Sequence, residues 1–79
     1  MVAKAFVLIE TAVGRNKEVV DTLKQIVGVK TVDTVTGPYD VIAVVEDKNL
    51  NSIGDLVTVK IHPIVGITRT VTCLAILST

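Results

Sequence analysis

Val29-Lys30-Thr31-Val32-Asp33-Thr34-Val35-Thr36-Gly37-Pro38-Tyr39-Asp40-Val41-Ile42-Ala43-Val44-Val45 decides the fold of this chain. Both arms are dense in Val, Ile and Thr, which suit a pleated surface and disfavour helix. Between them Gly37 permits positive φ and Pro38 presets φ for a turn, so the stretch is a β-hairpin. The first arm, Val29 to Thr36, alternates. Val29, Thr31, Asp33 and Val35 fall on one side and Lys30, Val32, Thr34 and Thr36 on the other, a polar mixture that predicts an edge strand. The second arm, Val41 to Val45, is continuously apolar and belongs in the sheet centre. Tyr39 and Asp40 at the tip can hold a small polar molecule; equally, Asp40 can simply cap backbone amides of the hairpin.

Upstream, Val2 to Thr11 reads as a strand with Phe6, Val7, Leu8 and Ile9 apolar in succession, so that both faces are buried. Gly14 breaks it. From Arg15 to Val27, Val19, Val20, Leu23, Ile26 and Val27 form one stripe of an α-helix, with Gly28 at the expected C-terminal cap. Downstream, Asp47 and Asn49 are candidate N-caps for a shorter helix carrying Leu50, Ile53, Leu56 and Val57. Lys60 to Gly66, with Pro63, is a connection, and Ile67 to Leu77 is a long final strand. The order strand, helix, strand, strand, helix, strand is the ferredoxin-like βαββαβ arrangement of the α+β class, with a four-stranded antiparallel sheet and both helices on one face. Nothing in the chain covers the other sheet face, which is apolar too. Burying even six such side chains is worth on the order of 10 kcal/mol, so a second copy of the sheet is its expected cover, giving a dimeric α+β barrel.

At 79 residues the chain is expected to be one domain, 1–79, with little room for a separate catalytic unit. Eight basic residues balance eight acidic ones and are dispersed, unlike the concentrated positive surface that displaces counterions from nucleic acid. Direct DNA binding is therefore not expected. A lone cysteine, Cys73, allows no intrachain disulfide, and its place in an apolar strand predicts a core residue. No run approaches the ~18 apolar residues that span a bilayer, and Ala5 to Ile9 is too short for a signal peptide, so the expected compartment is the cytoplasm.

These features together resemble the effector-binding (RAM) domain of the Lrp/AsnC family of feast/famine regulators. The matching residues are Gly14, Val29, Gly37-Pro38-Tyr39-Asp40, Leu50, Ile53 and Gly66-Ile67-Thr68-Arg69-Thr70-Val71-Thr72. Because Met1 leads straight into the first strand, the resemblance is to a stand-alone module without the helix-turn-helix half. It implies a homodimer formed by sheet-to-sheet packing, dimers assembled into an octamer or decamer ring, and an amino acid or related metabolite bound between dimers. Carried over residue by residue, Gly37, Tyr39, Asp40, Thr70 and Thr72 would line that cleft. Asp40 would pair with an α-ammonium group while hydroxyls or amides take the carboxylate. It also implies a non-catalytic sensor without cofactor that docks onto full-length Lrp/AsnC proteins.

The competing reading is a small dimeric α+β barrel enzyme of the monooxygenase or isomerase kind. It would need an acid-base or nucleophile-base pair, and none is visible. His62, before Pro63, reads as a loop residue without a Cys or second His at ligand spacing, so no metal is expected. Gly14-Arg15-Asn16-Lys17 lacks the ending of a phosphate-binding loop. The three threonines of the last strand serve β-propensity as readily as ligand binding.

Overall fold

A computed structural model of the chain describes residues 2–76. The elements are β1 (Ala3–Thr11), α1 (Asn16–Lys24), β2 (Val29–Thr34), β3 (Val41–Asp47), α2 (Leu50–Asp55) continued by a π-helical segment (Leu56–Ile61), and β4 (Ile67–Leu74). The strands form one antiparallel sheet in the order β2-β3-β1-β4, the ferredoxin-like topology expected from the sequence. β3 is central and β2 an edge, as the composition of the hairpin arms required.

Strand alternation sorts the sheet into two faces. Ala5, Val7 and Ile9 of β1 and Val41, Ala43 and Val45 of β3 are fully buried beneath the helices. They meet Val19 and Leu23 of α1, Ile53 of α2, and Leu56 and Ile61 of the π-helical segment. α1 lies over β2 and β3 and α2 over β1 and β3. The intervening residues Phe6, Leu8, Ile42, Val44, Val71 and Cys73 occupy the opposite face, which no element among the described residues covers.

Several sequence-based boundaries shift, each for a local reason. α1 ends at Lys24 rather than Val27: Gln25 and Ile26 donate to Thr22 O and Leu23 O in tightened last turns, leaving Val27 87% exposed. The second helix runs beyond Val57. A His62 N–H to Val57 O bond of 2.7 Å closes a wider turn that buries Ile61, so Lys60 and Ile61 belong to the helical segment and not the connection. Asn49 is its N-cap, accepting from Ser52 N at 2.8 Å, while Asp47 ends β3.

In β2 a register shift between Val29 and Thr31 breaks the expected alternation. Val29 and Val32 both reach the helix side, and Thr31 and Asp33 turn to the open side. Such a bulge is a common device on an edge strand. Thr34 is the last residue of β2, two short of Thr36. β4 ends at Leu74; Leu77, the expected end, and Met1 lie outside the described residues. Cys73 is a correction. It is exposed on the open face opposite Phe6, because β4 is an edge strand and this position alternates away from the helices.

Candidate functional site

The β2–β3 tip is built around Asp40. Gly37 adopts φ +140°, a region L side chains rarely enter, and brings the chain back toward β3. Asp40 then uses three polar groups at once. Its N–H donates to Ile9 O at 2.9 Å, its carbonyl accepts from Val35 N at 2.9 Å, and its Oδ2 accepts from Thr11 N at 2.8 Å. The last bond has a clear cause. The β1–β3 ladder ends at Ile9 and Val41, so the Thr11 amide on that edge of β1 has no strand carbonyl opposite it, and the half-buried Asp40 carboxylate supplies an acceptor. Asp40 is therefore a cap that pins the ends of three strands. Its Oδ1 takes no protein donor among the described residues.

Two further loops join this end of the sheet. Ala12 N donates to Gly66 O at 2.8 Å, and Thr11 Oγ1 donates to Asn16 Oδ1 at 2.7 Å at the start of α1. Gly66 has φ +104°, and a Cβ there would lie 3.0 Å from both Arg15 Cβ and Val19 Cγ2. A side chain at that point would require Arg15 or Val19 to give way. Tyr39 is half-buried beside Asp40, whereas Val13 and Val65, on the loops flanking the Ala12–Gly66 bond, are exposed. The result is a stitched, largely backbone-held platform with one free carboxylate oxygen.

Thr70 and Thr72 lie across β1 from the tip. They pair with Ile9 and Val7 and so sit on the helix-facing side of β4. Thr72 lines a groove of ≈ 260 Å³ between β4 and α2, with Leu50, Ile53, Gly54, Val57, Thr58 and Leu74. Thr68 takes neither position; its hydroxyl bonds Glu10 O at 3.1 Å at the β1–β4 irregularity. The expected site residues are thus spread over one chain: Gly37, Tyr39 and Asp40 at the tip, Thr70 across β1 from it beside Ile9, and Thr72 in the α2 groove.

Sequence reasoning missed the bonds by which Thr11 and Ala12 hold this end of the sheet to Asp40, Asn16 and Gly66, because two of the three are donated by backbone amides whose residue type carries no signal. It also missed a larger groove, ≈ 650 Å³, at the other end of the sheet, lined by Val27, Asp47, Lys48, Ser52, Asp55, Leu56, Val59 and Lys60. Among the described residues no cluster of His, Cys, Asp or Glu is placed to hold a metal ion. His62 is exposed after the π-helical segment. Among the described residues no helix is long and apolar enough to cross a membrane.

The Lrp/AsnC ligand-binding domain model matches residues 4–79. Among solved structures, FFRP-DM1 is 36% identical with a TM-score of 0.90, the match covering 94% of this chain and 99% of that one. Hypothetical protein PHS023 from Pyrococcus horikoshii is 38% identical with a TM-score of 0.88, covering 99% of this chain and 93% of that one. TTHA0845 from Thermus thermophilus is 35% identical with a TM-score of 0.92, covering 98% of this chain and 96% of that one. A transcriptional regulator from Neisseria meningitidis, solved as an L-Met complex, shares the fold at 13% identity and a TM-score of 0.85, the match spanning 50% of its length. No curated protein matches the chain.

Proposed function

The chain belongs to the Lrp/AsnC ligand-binding domain family, and from that premise we propose that it is a non-catalytic module that senses a free amino acid or related metabolite through assembly. The observation that carries this reading is the division of its polar groups. The Asp40 platform and Thr72 belong to one expected cleft, yet Asp40 caps the β2–β3 tip while Thr72 lines the groove against α2 on the same chain. A cleft containing both needs residues from more than one copy. The uncovered apolar face supplies the first contact, sheet against sheet, and such dimers then assemble into rings with ligand between them.

In this reading Asp40 Oδ1 receives the ligand's ammonium group while Oδ2 stays on Thr11, and Thr70 or Thr72 takes its carboxylate from the other wall. Tyr39 and Gly37 shape the entrance. The N. meningitidis regulator's L-Met makes methionine and its aliphatic neighbours the first ligands to try. The module acts in the cytoplasm by docking onto full-length family members rather than on DNA, for which its dispersed, balanced charges are ill suited. The test is a thermal-shift screen of free amino acids. At least one should raise the melting temperature in proportion to the logarithm of its concentration above saturation. A flat response to all of them, by an assembled protein, contradicts the sensing role.

A further inference from the structure

The open sheet face ends in charges at both rims. Lys4 and Glu46 are cross-strand partners at one end, and Glu10 and Arg69 at the other, with Phe6, Leu8, Ile42, Val44 and Val71 between them. Neighbours of opposite sign in a ladder ordinarily pair across the strands. Here neither pair closes: the ion pairs among the described residues are Arg15–Glu18 and Lys17–Asp21, both involving α1. The Lys4 ammonium instead leans over the apolar face, 5.3 Å from the centroid of the Phe6 ring. A cation held above a hydrophobic patch, with carboxylates at both rims, is placed to meet a charge arriving from outside.

We infer that Lys4 is the recognition cation of the sheet-to-sheet contact, pairing with a carboxylate of a second copy of this chain. This rests on the assembly proposed above. The two-fold symmetry of a face-to-face dimer makes any such pairing reciprocal. If the axis crosses the strands near Val7, the Lys4 rim of one sheet meets the Glu10 rim of the other. If the axis runs along the strands between β1 and β3, Lys4 meets Glu46 of the second copy. Either way Lys4 finds a carboxylate, and it does so twice per dimer. The face is small, about 19 Å across four strands and roughly 20 Å along them. Apolar contact over such an area leaves orientation loosely defined, and rim charges then select the partner.

The test is sedimentation of wild type, Lys4→Glu, Lys4→Gln and the double variants Lys4→Glu/Glu10→Lys and Lys4→Glu/Glu46→Lys, at low and high salt, with circular dichroism to establish folding. Lys4→Glu should weaken the wild-type dimer by about tenfold or more, and Lys4→Gln by less. High salt should narrow the gap between wild type and Lys4→Gln. One double variant should recover the wild-type association, Glu10→Lys for an axis across the strands and Glu46→Lys for one along them. A dimer as tight in folded Lys4→Glu as in wild type overturns the role of Lys4 alone. So does a loss that neither double variant recovers. A wild type that stays monomeric overturns the proposed assembly itself.

Discussion

Replacing Asp40 separates its two roles, and the structure supplies the magnitudes. Oδ2 accepts the Thr11 amide at 2.8 Å in a half-buried setting. Asp40→Ala removes the acceptor and leaves that amide without a partner, a loss of ~2 kcal/mol within the ~1–3 kcal/mol range for an unsatisfied buried donor. For a domain of this size that lowers the melting temperature by roughly 8–16 °C. Asp40→Asn keeps a carbonyl oxygen at the same place and exchanges a charge-assisted bond for a neutral one, costing about 1 kcal/mol or less. It should fold and assemble as wild type does. Its ligand response should nonetheless vanish, because the amide has no charge for an ammonium group. Thermal shift at fixed protein concentration, with and without the stabilising amino acid, reads both effects. An Asp40→Ala melting temperature equal to wild type refutes the cap, and an undiminished ligand shift in Asp40→Asn refutes the ammonium contact.

Gly66→Ala combines strain at φ +104° with a Cβ 3.0 Å from Arg15 and Val19, and should cost ~2 kcal/mol in urea unfolding; a cost below ~0.5 kcal/mol would show that α1 yields freely. Ile53→Ala empties the centre of the α2 contact, where the side chain is 1% exposed, and should lose ~2–5 kcal/mol by the same assay. Asn49→Ala removes the bond to Ser52 N and should cost ~1 kcal/mol, read as a lower melting temperature at unchanged oligomeric state. Thr70→Val keeps shape and β-propensity, so stability should hold while affinity for the ligand, by calorimetry, falls by about 1 kcal/mol.

Element order and sheet composition were legible because alternation and helical spacing report burial directly. Val41 to Val45 is the clearest case: continuous apolarity put β3 between two neighbours, and it lies there. What escaped depends on contacts or backbone geometry that no local pattern encodes. Val27 continues the apolar stripe of α1, yet the chain tightens after Lys24 to reach Gly28 and swings that side chain into water. Ile61 looked like loop because Pro63 follows closely, but one wider helical turn stores the extra residue and buries it. Cys73 has a core residue's neighbours in sequence; its strand position assigns it to the open face. At the tip, Gly37 and Asp40 were legible as turn residues. The partner of Asp40 was not, since Thr11 contributes an amide that any residue would provide.

Native mass spectrometry of protein taken directly from cells tests in one measurement whether this chain works as an assembled ligand-binding module. The expected result is an even-numbered assembly carrying a small molecule of amino-acid mass, and the same assembly without that mass in Asp40→Asn. A bare monomer, or an assembly whose bound molecule is unaffected by Asp40→Asn, would contradict it.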